Sequence, residues 1–525
     1  MAFLLLSVLH TWPLAAAPAH WSRVDPGDGA LNTWAVAWVG HTLAHHPTQL
    51  FEANIFYPEH RTLAYSEAML LQGVLAMPVL ELGGSAVLAY NVVVLAGLTL
   101  TGWAFCLLVR RWTNSWSAGL VAGSLAAFNA HSLMHLTHLQ FLHAEFFALM
   151  LYGLDRLVMT SRLRYVCALA AGFALQGLTS VYLMVFAVWT LIFAVAARIT
   201  EWRTSAWTML SRLAAAGALA TLMLSPYLAE YLIVHETMGF TRTVEDEAPA
   251  TWANYLATGA RLHFNTWSKP FVEISTSATF PGIAALGLIV VAISDPRNTS
   301  DARFRMCAVI AGGCAAVSMT PLLPFYRVLH AVIPLFQAVR VLGHLGQVVL
   351  LMVAVIAGFG VASLQDTWEQ QRSWPLVALL LLVIVNGEAL RAPVGYTWFD
   401  RVPAVYDVLE KEPGAVVVEL PFPLPQQWFL NTPYMVNSTR HWRPLLNGYS
   451  GFRPPSYYKA YDTANGFPSD ASLIGLHGLG VTHVVVHRKE LNNVAADNRY
   501  NPFAEMPSLQ LIARDDDILI YRLGR

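Results

Sequence analysis

Charge is scarce in this sequence. Asp, Glu, Lys and Arg together supply only 12% of the 525 residues, about half the share usual in a soluble globular chain. That scarcity excludes an ordinary soluble protein. The formal net charge is −1, so no basic surface invites a nucleic-acid partner. Cysteine is also rare: Cys106, Cys167, Cys307 and Cys314 all fall in apolar segments and read as small core residues, not as disulfides or metal ligands. GxGxxG, P-loop and HExxH patterns are missing too. What the chain does have is apolar residues, 56% of the total. Long hydrophobic runs recur through its first three-quarters, and they predict a polytopic α-helical membrane protein.

Residues 2–17 resemble a signal peptide, down to the AAAPA end. They lack a basic start, however, and the chain continues through many further apolar runs. The segment therefore reads as the first membrane helix. Further spans are expected at 89–109, 116–130, 140–158, 163–178, 180–197, 206–227, 279–294, 304–322, 345–364 and 374–391, about eleven in all. The stretch 69–82 is too short and interrupted to span and is expected as a re-entrant or interfacial helix. Arg110/Arg111, Arg156/Arg162/Arg164, Arg198/Arg203, Arg297/Arg303/Arg305 and Arg372 fall in alternate connections. The positive-inside rule makes those connections cytoplasmic. The long aromatic loops 18–88, 228–278 and 323–344, and everything after 392, are then extracytoplasmic.

Composition changes near residue 392. A transmembrane domain is expected over 1–392, with 18–88 as its first outer loop carrying interfacial helices, and a soluble α/β domain over 393–525. In the latter, helix patterns lie near 401–411 and 470–478. Strands are expected at AVVVEL (415–420), VTHVVVH (481–487), LQLIAR (509–514) and ILIYRL (518–523), the last two joined by an Asp-rich turn.

Several stretches could carry chemistry. In DPGDGALNTWAVAW (25–38), Asp28 precedes Leu31, Trp34, Trp38, His41 and His45 on one helical face. The plain reading makes Asp28 the N-cap of an interfacial helix whose Trp residues anchor at the headgroups. The functional reading makes it a general base or a metal ligand beside the membrane, with Asp25 as second choice. In ANIFYPEHRTLAYSE (53–67), Asn54, Tyr57, Glu59 and Tyr65 could face a sugar and Arg61 a phosphate; the plain reading is an outer loop. His131, His135 and His138 stand at i, i+4 and i+7. Histidines four apart can chelate zinc, but no Cys or carboxylate stands at a characteristic spacing. A wet cavity face is preferred, with His135, His138 and Gln140 as hydrogen-bonding residues, Glu145 as a buried partner and no metal ligands assigned. Arg340, in PLFQAVRVLGHLGQ, either snorkels to lipid phosphate or clamps a substrate phosphate. The 236–264 loop, with Arg242, Glu245 and Glu247, reads as a mobile lid. STRHWRPLLNGYSGF (438–452) suits carbohydrate contact or docking equally.

The order of GDGALNTWAVAW, NIFYPEHRTLAYSE, HLTHLQ, FQAVRVLGH, VVELPFP and HWRPLLNGYSGF along the chain resembles the GT-C superfamily of polytopic membrane glycosyltransferases. Within it, the chain is similar to bacterial YfhO-like proteins with a C-terminal extracytoplasmic domain. The resemblance implies a multi-pass protein of the bacterial cytoplasmic membrane. It further implies an inverting glycosyltransferase that moves a sugar from a polyprenyl-phosphate or polyprenyl-pyrophosphate donor to an extracytoplasmic glycan, lipid or protein. The family's acid maps onto Asp28 and phosphate recognition onto Arg340. His344 stands where the family has a second basic residue. No paired DD or DE stands at the key site and no WWD-like motif is seen, so the resemblance leaves open whether a divalent cation such as magnesium or manganese takes part. Two alternatives belong to other classes: a transporter or flippase for lipid-linked glycans, and a non-enzymatic envelope-assembly protein.

Overall fold

Helices follow the apolar runs closely. The computed structural model describes residues 1–23, 27–244, 248–319, 324–332, 336–337, 339–368, 373–490 and 506–524. Its apolar helices include Ala86–Thr113, Trp116–Ala127, Glu145–Thr160, Leu163–Thr179, Val181–Ala197, Ala206–Met238, Ile283–Ser294, Ala302–Met319, Gly346–Trp368 and Trp374–Ala389. Their ends carry local signals. The hydroxyls of Ser115 and Ser180 accept from the amides of Ala118 and Leu183, satisfying orphan donors of the first turn. Arg110 and Arg111 occupy the last turn of Ala86–Thr113, where positive charge suits the helix dipole.

The chain is a multi-pass membrane protein, but the expected eleven spans are not all long enough to cross. Among the described residues four helical stretches are long and apolar enough: Ala86–Thr113, Ile199–Met238, Ala302–Met319 and Leu342–Trp368. Leu70–Glu81, Leu163–Thr179, Val181–Ala197, Ile283–Ser294 and Trp374–Ala389 are apolar but shorter. The expected first span is only the nine-residue helix Ala2–His10; Pro13, lacking an amide donor, helps to end it.

The chain divides into two compact units. The first comprises Met1–Ala17, Val92–Leu228 and Thr241–Val394. In it Gly346–Trp368 packs against Trp116–Ala127, Ile283–Ser294 and Ala302–Met319, while Glu145–Thr160 packs on Leu163–Thr179. Phe105, Met150, Leu154, Trp189 and Leu351 are among its buried core residues.

The second unit comprises Pro18–Asn91, Ala229–Phe240 and Gly395–Arg525. Its boundary at 394/395 lies beside the expected 392/393, but the first long loop, expected with the transmembrane domain, is grouped with the tail. The short strand β1 (Trp21–Arg23) pairs antiparallel with β2 (Tyr396–Trp398). Strands β3 (Val417–Leu420), β4 (His483–His487), β5 (Leu509–Arg514) and β6 (Ile518–Leu523) form a sheet in the order β3-β4-β6-β5. β3 and β4 run parallel and are buried along their whole length, as their unbroken valine runs require. The β5–β6 hairpin turns on Asp515, whose carboxylate accepts from the amides of Asp517 and Ile518. Past β3, segment 444–446 bonds to Val417 on one side, and 445–447 exchanges backbone hydrogen bonds with 54–57 on the other. Helix Asp28–His45 packs on Leu70–Glu81 and Thr432–Ser438.

Candidate functional site

Asp28 opens an 18-residue helix in the second unit. It is not the N-cap: Gly27 is, and its carbonyl accepts from the Leu31 amide at 3.0 Å. Asp28 is the first residue of the helix itself. It sits in the first turn, where the helix dipole favours negative charge, half-buried. The Tyr449 hydroxyl donates to its Oδ1 at 3.2 Å, and the Tyr449 ring leans on Trp428 with centroids 4.8 Å apart. Asp25 lies outside the described residues. Among the described residues Asp28 belongs to no cluster of three His, Cys, Asp or Glu groups that could hold a metal.

The tryptophans of this helix are not headgroup anchors. Trp34 and Trp38 are buried. The Trp34 indole donates to Asn54 Oδ1 at 3.1 Å and the Trp38 indole to the Leu50 carbonyl at 2.8 Å. With both N–H groups satisfied inside the unit, neither needs the interface.

Most of the 53–67 candidates are engaged within the second unit. Asn54 is buried and donates to Ser438 Oγ and the Arg443 carbonyl, each at 3.1 Å. Its amide therefore works as a brace. Arg61 adopts a left-handed conformation (φ 54°) and its Nε bonds Glu230 at 2.8 Å. Tyr57 is half-buried and its amide donates to the Leu445 carbonyl; Glu59 is half-buried beside it in sequence. Tyr65 differs. Its side chain is only 1% exposed and its hydroxyl has no hydrogen-bond partner among the described residues. Burial, followed by the charges of Glu59 and Glu52, pushes its phenol up, so it stays a donor in search of an acceptor.

The remaining candidates belong to the first unit. His131, His135 and His138 do not share one continuous helix face. Asn129 caps a helix of only five residues, Ala130–Met134, and His135 is already its C-cap. The chain turns there to bury Leu136 and Leu139, and His138 precedes the 3₁₀ turn Leu139–Leu142. Gln140 is buried with Oε1 unsatisfied among the described residues. Glu145 is buried as expected, accepting from His143 at 3.0 Å and Thr101 at 3.2 Å. Arg340 is exposed; its amide donates to the Tyr182 hydroxyl at 2.6 Å and its carbonyl accepts from Ala248 at 2.9 Å. Glu245 and Glu247 of the expected lid lie outside the described residues, whereas Arg242 is described and half-buried.

Two partners were not singled out from sequence. Tyr449 lies within the flagged 438–452 stretch, but nothing local links it to Asp28, 421 residues away. His344, read only as a substitute for a basic residue, is buried against His131, with its Nδ1 3.0 Å from His131 Nε2.

No protein-family model matches the sequence, and no curated protein matches it either. Similarity to solved structures is clear. Arabinofuranosyltransferase AftD from Mycobacteria matches over 100% of this chain and 39% of its own, at a TM-score of 0.58 and 15% identity. A mutant of that enzyme matches at 0.55 and 14%, over 100% and 41% of the two chains. ArnT from Cupriavidus metallidurans, bound to undecaprenyl phosphate, matches over 99% and 96%, at a TM-score of 0.47 and 12% identity, a superposition too loose to add weight. The chain thus spans well under half the length of AftD and shares the fold of the matching part.

Proposed function

We propose that this chain, which has the GT-C glycosyltransferase fold, is an inverting transferase that takes a sugar from a polyprenyl-phosphate or polyprenyl-pyrophosphate donor. The acceptor is an extracytoplasmic hydroxyl of a cell-envelope glycan, lipid or protein. The observation that carries the reading is fold likeness over the whole chain, together with an acid in the first turn of the helix that opens the first long loop.

Asp28 is assigned the general base. Its carboxylate takes the proton of the acceptor hydroxyl as that oxygen attacks the anomeric carbon. The bond from that carbon to the phosphate oxygen breaks and the electron pair leaves on the phosphate. One displacement inverts the anomeric centre. Tyr449 is a positioning residue: its hydroxyl donates to Oδ1 and helps to fix the orientation of the carboxylate. The departing phosphate needs a cation, and Arg340, an exposed guanidinium, is assigned that part. Tyr65, with its unsatisfied hydroxyl, is the favoured sugar contact of the 53–67 stretch. Asn54 and Arg61, both braced, support the loop.

The test is turnover by membranes carrying wild type or Asp28→Asn, with a panel of polyprenyl-phosphate sugars. The amide keeps the shape and loses the base, and a loss of about 10²–10⁴-fold is expected. Full activity of Asp28→Asn would sink the assignment. Donor movement across proteoliposome membranes, with no donor consumed, would favour the flippase alternative.

A further inference from the structure

We propose that His131, His135 and His344, all within the first unit, form a binding site for a divalent transition-metal ion of the zinc class. Each ring offers one nitrogen, and these three atoms lie within 4.8 Å of one another. Around a tetrahedral zinc with bonds of about 2.0–2.1 Å, ligand nitrogens stand roughly 3.4 Å apart. His131 Nε2 and His344 Nδ1 are already 3.0 Å apart. Small side-chain rotations would bring the third nitrogen in.

Three features favour an ion over a set of ordinary core histidines. The first is tautomer control. His135 Nδ1 lies 2.9 Å from the His131 carbonyl, an acceptor, so Nδ1 carries the proton and Nε2 keeps its lone pair. A carbonyl on one ring nitrogen while the other faces the metal is the usual support for a ligating histidine. The second is close approach. Two lone pairs compete for one proton: His131 Nε2 and His344 Nδ1 stand 3.0 Å apart on buried rings, near the spacing of two ligands on one ion. The third is the setting. The Phe141 ring lies 4.8, 5.9 and 4.7 Å from the rings of His131, His135 and His344. Such an apolar wall lowers the local dielectric and strengthens metal–ligand bonds. His131 is wholly buried and His135 partly open, which gives the ion a way in.

Three neutral imidazoles select the metal. They suit Zn²⁺, Cu²⁺ or Ni²⁺, whereas Mg²⁺ prefers oxygen. Three protein ligands also leave one tetrahedral position for water or an anionic oxygen. The ion would tie segment 130–135 to segment 342–345, 213 residues apart at the His131–His344 contact. This moves His135 from a hydrogen-bonding residue of a substrate cavity to a metal ligand. It stands independently of the transferase reading, because metal binding is measured without turnover.

The test uses the full chain in detergent, stripped with a chelator and then loaded. After desalting, the wild type should retain about one Zn²⁺ per chain in the presence of excess Mg²⁺. The Co²⁺-loaded form should show the intense visible bands of tetrahedral coordination. His135→Asn and His344→Asn should each weaken retention by about 100-fold, while His138→Asn, which changes a neighbouring ring outside the trio, should not. Should a ligand variant fail to elute as a monodisperse peak, the wild-type cobalt spectrum decides. Zinc retained equally by wild type and both ligand variants, or a wild type with neither stoichiometric zinc nor tetrahedral cobalt bands, would overturn the site.

Discussion

Arg198 shows how much of a residue's role lies outside its own sequence neighbourhood. From sequence it is a charge that marks a cytoplasmic connection. In the structure its side chain is 1% exposed; it bonds Asp155 at 2.9 Å and Glu201 at 2.6 Å. The charge was legible, but Asp155, 43 residues away, was not. Breaking a buried ion pair from one side strands the other charge and costs about 3–5 kcal/mol. Arg198→Ala should therefore lower the melting temperature of the detergent-solubilised protein sharply, and Arg198→Ala combined with Asp155→Asn should recover part of the loss. An unchanged melting temperature in the single variant would refute this.

A second buried pair joins an acid to a histidine. Glu419 on β3 is fully buried, 2.6 Å from His487 on β4 and 2.7 Å from the Tyr406 hydroxyl. Burial alone would lower the His487 pKa, but the hydrogen bond and charge of Glu419 outweigh it and the net shift is upward. A raised histidine stabilises the fold fully below its unfolded pKa of about 6.5. That contribution fades as pH climbs through the higher folded value. Unfolding of the second unit should therefore become easier from about pH 6.5 upward. Glu419→Gln should flatten that slope, and an equally steep slope in the variant would dismiss the pair as its source.

Elements were the most legible scale. β5 and β6 fall where they were expected, and nine apolar helices lie within about five residues of the expected spans, while Ala206–Met238 runs well past its expected end at 227. Period and length suffice for those. They could not reveal that Ala130–Met134 stops after five residues, because the reason is the burial of Leu136 and Leu139 elsewhere in the fold. Nor could they reveal which faces meet. Gly360 in Gly346–Trp368 is one such contact: a Cβ there would press directly on the Leu288 carbonyl of Ile283–Ser294. Helices approach this closely only through small residues. Gly360→Val should force the pair apart and lower the yield of monodisperse protein severalfold, whereas Gly217→Val, at a glycine with open space around it, should not. Comparable yields for the two variants would contradict the packing argument.

At the scale of the whole molecule, the tail from 395 is one of three segments that build the second unit, so it is not an appendage. Nothing local in the sequence announces this, because the contacts join residues hundreds of positions apart. Backbone bonds run from Phe56 to Asn447, from Tyr57 to Leu445 and from Leu445 back to Asn54, at 2.8–3.0 Å. The Asn54 side chain bonds Ser438 and Arg443. Trp38 and His41 pack on Trp442, at 5.7 and 4.5 Å, and Asp28 accepts from Tyr449. Truncation after Val394 would leave buried amides and carbonyls of 54–57 without partners, each costing about 1–3 kcal/mol, and would bare the tryptophan face of Asp28–His45. Together these losses rival the whole stability of a typical domain. The truncated chain should therefore insert into the membrane with residues 18–91 cleaved by added protease at least tenfold faster than in the full chain, and with sugar transfer lost along with the fold around Asp28. Protection of 18–91 equal to that of the full chain would show that the first loop folds without the tail, and would leave the tail a separable docking module.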